Sequence, residues 1–172
     1  SDVCSSDLGC DGALFQCLRS RKELTTPDER AEIEEIIVAG VEGIPDEDLE
    51  VLSFRQLRTA WMRGFAAHHA GLLPAFKHIV EQLFVRGLVK VVFATETLAL
   101  GINMPARTVV LEKMVKFNGE AHVDLTPGQY TQLTGRAGRR GIDHIGNAVV
   151  QWAPAMDPHQ VAGLASTRTY PL

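Results

Sequence analysis

Apolar residues recur at intervals of three or four positions in four stretches of the chain, which is the spacing of one helix face. The first stretch starts at Asp11 and runs towards Leu24, and the second starts at Thr26. The third follows Pro45 and the fourth follows Pro74. We therefore expect four amphipathic helices, each with an apolar side that packs on a core. The inward side of the third would contain Leu49, Leu52, Leu57 and Trp61.

Short runs of β-branched and other apolar residues predict four strands. The clearest run is VKVVFA at residues 89–94, and the others cover residues 65–68, 108–111 and 148–152. Short runs of this kind, apolar at most positions, are typical of buried parallel strands. With helices between them and short crossovers, they predict an α/β layer sandwich with a mainly parallel sheet.

Composition narrows the class of protein. A chain of 172 residues that is 45% hydrophobic and 22% charged fits one soluble globular domain. Its net charge of -4 argues against an autonomous nucleic-acid binder, so any such contact should be local or shared with another domain. The absence of a long apolar run and of signal-peptide features predicts a cytoplasmic protein with no membrane partner. The three cysteines lack C-x-x-C spacing and predict neither a disulfide framework nor a zinc site.

Two groups of polar residues have a structural interpretation. Carboxylates dominate residues 28–50, and nothing in the sequence isolates a pair of them from water, so we interpret them as a solvated face rather than an acid/base site. His68 and His69 are neighbours in an extended segment and should point in opposite directions. Because no acidic or thiol partner follows at ligand spacing, they predict no metal site.

Residues 126–141, TPGQYTQLTGRAGRRG, begin with a strong helix start. Thr126 offers a capping hydroxyl, the next residue is a proline, and Gln129 can reach back to the cap. We expect this helix to continue to Arg139, with the apolar residues Tyr130, Leu133 and Ala137 on its core side.

Three side chains that can bind phosphate would then share another face of the helix. They stand at i, i+4 and i+7, and are Gln132, Arg136 and Arg139. We interpret the two guanidinium groups as having no nearby carboxylate to neutralise them. The three side chains therefore predict an anionic partner, for which phosphate is the natural candidate. Gly135 and Gly138 indicate close approach of another body to this backbone. The alternative is an ordinary exposed helix end whose arginines complement the helix dipole.

Three ordered motifs carry a resemblance to superfamily 2 helicases. QYTQLTGRAGRRGID at residues 129–143 resembles their sixth motif, Q-x-x-G-R-x-G-R, and ATETLALGINMP at residues 94–105 resembles their fifth. HHAGLLP at residues 68–74 resembles a segment typical of the superkiller-type DExH-box branch. Residues 116–143 are most similar to the exosome-associated RNA helicases and their bacterial relatives, and less similar to the related DNA-repair helicases.

The resemblance implies a domain organisation. Residues 9–153 would form the second RecA-like domain of such a helicase, a three-layer α/β fold with an acidic helical insertion at about residues 21–63. Residues 154–172 would connect it to a further C-terminal domain. Residues 1–8 match nothing in the family and are expected to be unstructured or foreign to the fold, so that the first strand of the sheet is missing or replaced.

The resemblance also implies roles for individual residues. Arg136 and Arg139 would act as arginine fingers on the γ-phosphate of ATP, and Gln132 would lie near the attacking water. Two further residues, Gly101 and Asn103, would lie close to bound ATP. Four positions would contact nucleic acid: His69, Gly71, Thr95 and Thr97. In purely local terms, Thr95 could instead cap a helical turn that Gly101 ends.

The sequence contains neither a G-x-x-x-x-G-K-[ST] phosphate loop nor a D-E-x-H stretch. The resemblance therefore implies that Mg²⁺ and ATP are held by the first RecA-like domain of the same protein, and that this chain alone is inactive. RNA, as a single strand or a duplex with a single-stranded end, is the partner implied. Two alternatives stay open: a non-catalytic RecA-like module that binds a protein partner through its acidic helices, or a fragment of a DNA-repair helicase.

Overall fold

The computed structural model describes residues 2–4, 7–95, 104–117, 120–154 and 156–167. These residues divide into two compact units, which are described separately. Ser6–Ala94 form one, which we call the helical unit. Ser1–Ser5 and Thr95–Leu172 form the other, which we call the motif unit.

The described residues contain seven strands and seven helices. In chain order, the strands are β1 Asp2–Cys4, β2 Phe65–His68, β3 Val91–Thr95, β4 Thr108–Leu111, β5 Val115–Phe117, β6 His122–Asp124 and β7 Asn147–Val150. The helices are α1 Asp7–Arg19, α2 Pro27–Gly40, α3 Asp46–Val51, α4 Phe54–Met62, α5 Pro74–Val85, α6 Pro127–Thr134 and α7 Pro158–Ser166. No helix among the described residues combines the length and hydropathy that a membrane span requires.

In the helical unit, an aromatic cluster packs α4 against α5. Trp61 on α4 is fully buried, with its ring 6.2 Å from that of Phe54 and 5.7 Å from that of Phe76 on α5. The parallel strands β2 and β3 pair from Phe65 opposite Val91 onward. β2 lies at the predicted residues and the apolar side of α5 is buried as its spacing predicts, whereas β3 covers Val91–Thr95 in place of the predicted residues 89–94.

The third predicted helix is two helices, α3 and α4. The chain turns between them at Ser53, whose φ of 57° lies in the left-handed region. As a result Leu52, expected on the inward side, is 37% exposed, whereas Leu49 and Leu57 are buried as predicted. The apolar spacing alone does not reveal this break, because it continues across the turn.

Acidic residues of α2 lie at the surface of the helical unit, and Glu29, Glu32 and Glu34 pair with basic side chains. Glu34 accepts a hydrogen bond from Arg58 at 2.6 Å, and Glu29 accepts one from Lys90 at 2.6 Å. Glu29 also completes a capping box with Thr26, and these bonds lower its pKa, the Lys90 bond most of all. The carboxylates thus serve helix capping and surface ion pairs, in line with the solvated face expected from the sequence.

The motif unit contains the parallel strands β1, β4 and β7. Asp2 lies opposite Val110, and Thr108 lies opposite Asn147. An antiparallel hairpin of β5 and β6 follows β4 and was not anticipated from the sequence. The core cluster combines residues of β4, the hairpin region and α6: Val109, Leu111, Met114, Leu125, Tyr130 and Leu133. The parallel pairs and intervening helices confirm the α/β class.

The opening residues differ from expectation. Asp2–Cys4 form a strand that pairs in parallel with β4, so this segment is neither unstructured nor outside the fold. A three-residue strand gives too short an apolar pattern to be recognised from sequence. At the other end, the predicted connector contains α7, whose Val161 and Leu164 pack against the motif-unit core.

Candidate functional site

The start of α6 has the predicted capping box. The Thr126 hydroxyl accepts a hydrogen bond from the backbone N–H of Gln129 at 3.3 Å, and the Thr126 N–H donates to the Gln129 side chain at 3.0 Å. Tyr130 and Leu133 point from this helix into the core, as expected. The cap sets where α6 begins and the apolar side sets which of its faces is buried. Together they determine which side chains of α6 are exposed.

The helix ends at Thr134, so its predicted continuation to Arg139 is wrong. Beyond it, the backbone forms a bridge beside the segment that precedes β4: the N–H of Ala106 donates to the carbonyl of Arg136 at 3.0 Å, and the N–H of Gly138 donates to the carbonyl of Ala106 at 2.7 Å. Gln132 is exposed on the last turn of α6, whereas Arg136 and Arg139 lie in the turn that follows. The three side chains are close in the chain but not aligned on one helix face.

Glycines allow this turn to form. Gly138 has a φ of 89°, a conformation that side chains rarely permit. A Cβ at Gly138 would lie 3.1 Å from the Cα of Gly146. The close approach predicted from Gly135 and Gly138 is therefore made, at Gly138, by another segment of the same chain.

Arg139 is held by a carboxylate that the sequence interpretation overlooked. Asp143 accepts a hydrogen bond from Arg139 Nε at 2.8 Å and another from Nη2 at 2.9 Å. It also accepts one from the backbone N–H of Arg139 at 2.9 Å. The premise that no nearby carboxylate neutralises these guanidinium groups is thus wrong for Arg139. The i,i+4 spacing of Arg139 and Asp143 in the sequence could have indicated this pair.

The Arg139–Asp143 pair changes the acidity of both groups. The hydrogen bond from Arg139 is the main cause that lowers the pKa of Asp143 from 3.8 to about 2, and the charge of Arg107 contributes. The same bond raises the pKa of Arg139. The Asp143 side chain is 8% exposed and that of Arg139 is 38% exposed, so Arg139 is the more accessible member of the pair.

The helical unit contains the other predicted site segment that the structure describes. His69 is buried, and its Nε2 lies 3.0 Å from Asp11 Oδ1 on α1. His68 is also buried, with its Nε2 2.9 Å from Glu81 Oε1 on α5. Gly71 is exposed in the turn that leads into α5. The His69 side chain therefore anchors this turn instead of facing solvent.

The remaining site residues are only partly described. Thr95 is half-buried at the end of β3. Thr97, Gly101 and Asn103 lie outside the described residues. Within the described ranges, no three or more His, Cys, Asp and Glu side chains group as metal ligands would.

Comparison with known proteins places the chain in a family. Residues 28–141 match the helicase conserved C-terminal domain. The chain is 65% identical over 167 residues to the probable helicase HelY of Mycobacterium tuberculosis, covering 97% of the chain and 18% of that protein. It is 46% identical over 128 residues to human superkiller complex protein 2, covering 74% of the chain and 10% of that protein. It is 45% identical over 128 residues to the DExH-box ATP-dependent RNA helicase DExH11 of Arabidopsis thaliana, covering 74% of the chain and 10% of that protein.

These relatives are much longer than the chain, which spans less than a fifth of each. The family match includes α2 to α6 and the Arg136 to Arg139 turn. The chain therefore belongs to the helicase conserved C-terminal domain family, with HelY and the superkiller-type DExH-box helicases among its relatives.

Proposed function

We propose that this chain is the second RecA-like domain of an ATP-dependent RNA helicase and that it supplies Arg136 and Arg139 to the γ-phosphate of ATP. The family match and the similarity to helicases along 97% of the chain support the helicase assignment. The name of the Arabidopsis relative supports RNA as the substrate. Gln132, exposed at the end of α6, is proposed to lie near the attacking water.

The geometry of Arg139 is the observation that carries the nucleotide assignment. A guanidinium has five N–H donors, and Asp143 takes two of them, from Nε and Nη2. The remaining donors include both hydrogens of Nη1, on a side chain that is 38% exposed. This donor set fits the oxygens of a triphosphate, for which a planar fork of N–H groups is well suited.

The rest of the nucleotide site is proposed to come from the first RecA-like domain of the same protein. That domain would bind the Mg²⁺, which neutralises charge on the phosphates when bound. Gly101 and Asn103 are proposed to contact the nucleotide from this chain. Because the chain has no phosphate loop or D-E-x-H stretch, we expect it to hydrolyse no ATP alone.

RNA contacts are proposed at the turn around Gly71 and, separately, at the residues that end and follow β3. The exposed backbone of Gly71 precedes α5, where helix N–H groups favour a phosphate. His69 is proposed to act here from its buried position, and Thr95 and Thr97 to donate hydroxyl contacts. A single strand or a duplex with a single-stranded end would be bound. A cytoplasmic location stays a prediction.

The test is RNA-stimulated ATP hydrolysis by the full-length protein. Arg139→Lys keeps the charge but loses the planar fork. An arginine finger contributes about 10³- to 10⁵-fold in rate, so Arg139→Lys and Arg136→Ala should each lower kcat far more than tenfold. Retention of kcat within about tenfold, an effect near 1.4 kcal/mol, would contradict the finger assignment.

Arg86→Ala is the matched control, because Arg86 makes an exposed ion pair with Glu32 at 3.2 Å and such pairs contribute little. It should leave kcat unchanged. Stimulation by DNA strands in place of RNA, at equal salt concentration, would instead indicate a DNA-repair helicase. A folded full-length protein without ATP hydrolysis would support the non-catalytic binding module.

A further inference from the structure

We propose that Asp143 is the positioning residue that holds the Arg139 guanidinium in the geometry required for phosphate contact. This inference rests on the proposed role of Arg139. Asp143 itself would not touch the nucleotide, because its own side chain is 8% exposed and its oxygens face Arg139.

The contacts fix both ends of the arginine. Asp143 Oδ2 accepts from the backbone N–H and from Nε of Arg139, while Oδ1 accepts from Nη2. One carboxylate therefore ties the start of the side chain and its tip to the same point. The flexible methylene stem between them loses most of its rotamer freedom before any phosphate arrives, which is the condition for a preorganised catalytic contact.

The backbone closes the same turn from the other side. The N–H groups of Ile142 and Asp143 both donate to the carbonyl of Arg139, at 3.0 and 2.9 Å. The carboxylate and the arginine thus face each other across a single hydrogen-bonded turn. The carbonyl of Arg136 is held by a hydrogen bond from the backbone N–H of Ala106. Both proposed fingers therefore start from a restrained backbone.

The site keeps a net positive charge although Asp143 pairs with Arg139, so it still attracts phosphate. Asp143 cancels one positive charge, but Arg107 lies near enough to Asp143 to lower its pKa. Arg107, Arg139 and Asp143 together carry a net charge of about +1, and Arg136 and Arg140 add to it. Because Nε and Nη2 bind Asp143, neither N–H of Nη1 is engaged by this carboxylate.

Asp143→Asn separates positioning from charge in a measurable way. An amide has only one oxygen, so at least one of the three N–H donors of Arg139 would face an NH₂ group. In the full-length protein we expect kcat for RNA-stimulated ATP hydrolysis to fall about 10- to 100-fold, the size of effect that misplacement of a reacting group causes. KM for ATP should stay within about threefold.

A double-mutant cycle shows whether Asp143 acts through Arg139. In an Arg139→Ala background, Asp143→Asn should change the residual rate by less than about twofold. A merely structural role would lower the rate in both backgrounds alike and would overturn the inference. Asp143→Glu keeps the charge and should retain more activity than Asp143→Asn. It also serves as the variant to measure if the amide does not fold.

Asp124→Asn is the matched control. Asp124 is an exposed carboxylate of the same unit that accepts a hydrogen bond from Gln160 at 3.2 Å, which an amide oxygen can also accept.

If Arg139→Ala leaves kcat near wild type, the finger proposal itself fails. If Arg139→Ala abolishes turnover while Asp143→Asn and Asp143→Glu stay within about twofold of wild type, only the positioning role fails. A rise in kcat for Asp143→Asn would also overturn the positioning role, because Asp143 would then hold Arg139 away from the geometry that hydrolysis requires.

Discussion

Gly146 lies directly against the backbone of Ala137: a Cβ at position 146 would stand 2.5 Å from the carbonyl carbon and oxygen of Ala137. The backbone nitrogen of Gly138 would be equally close. No flexible side-chain end is available to move aside, because all three atoms belong to the main chain. The turn that carries Arg136 and Arg139 therefore depends on the absence of a side chain at Gly146.

Gly146→Ala should destabilise the chain by about 1 to 3 kcal/mol, the usual cost of overpacking. Chemical or thermal unfolding measures this change. Gly128→Ala is the control, since Gly128 lies within α6 at a position where an added methyl group would meet no neighbouring segment within 4 Å, and there alanine should be neutral or stabilising. Equal stability of Gly146→Ala and wild type would contradict the close approach.

The capping box of α6 should be measurable through Thr126. Removal of the hydroxyl in Thr126→Ala leaves the N–H of Gln129 without its cap and should lower the free energy of unfolding by about 1 kcal/mol. Thr126→Ser keeps the acceptor and should retain most of the stability. A serine variant as unstable as the alanine variant would mean that the methyl group, not the cap, is responsible.

Acid should weaken the Arg139–Asp143 pair in a defined range of pH. The pKa of Asp143 is lowered to about 2 in the folded protein from an ordinary 3.8. Because the unfolded chain binds this proton more readily, the pair stabilises the fold fully above about pH 4, and the stabilisation is lost as pH falls towards 2.

Unfolding measurements on wild type and Asp143→Asn at several pH values test this sign. The difference in their free energies of unfolding should be constant above about pH 4 and should shrink between about pH 4 and pH 2. A difference that does not depend on pH across this range would contradict the lowered pKa.

The buried contact between His69 and Asp11 should matter for RNA. Its loss in His69→Ala frees the turn at Gly71 from α1. On the proposed function, the RNA concentration for half-maximal stimulation of ATP hydrolysis should then rise at least about threefold, with kcat at saturating RNA less affected. His78→Ala is the control, because His78 is exposed on α5 and bonded to Gln82 of the same helix. Equal RNA dependence in the two variants would exclude this anchoring role.

Much of the fold could be predicted because local pattern and tertiary burial agree. The strands at Phe65–His68 and Thr108–Leu111 lie at the predicted residues, and the apolar spacing of α5 matches its buried side. The hairpin of β5 and β6 escaped prediction, since its strands have three residues each. The break at Ser53 escaped for a related reason, because apolar spacing continues through it.

The candidate site was predictable in composition but not in geometry. Gln132, Arg136 and Arg139 were identified from their residue types and from motif resemblance, and their roles stay proposals. The helix that was expected to align them ends at Thr134. Arg107 and Asp143 were missed, although Asp143 stands at an i,i+4 spacing from Arg139.

The sequence by itself determined the α/β class, the cap at Thr126 and the family, because each of these is encoded within a short window of residues. Only the tertiary structure decided where α6 ends and which carboxylate holds Arg139. The end of α6 depends on the hydrogen bonds that Ala106, far upstream in the chain, makes with Arg136 and Gly138. A bridge between segments so distant in the chain competes with continuation of the helix, and no local propensity can report which of the two wins.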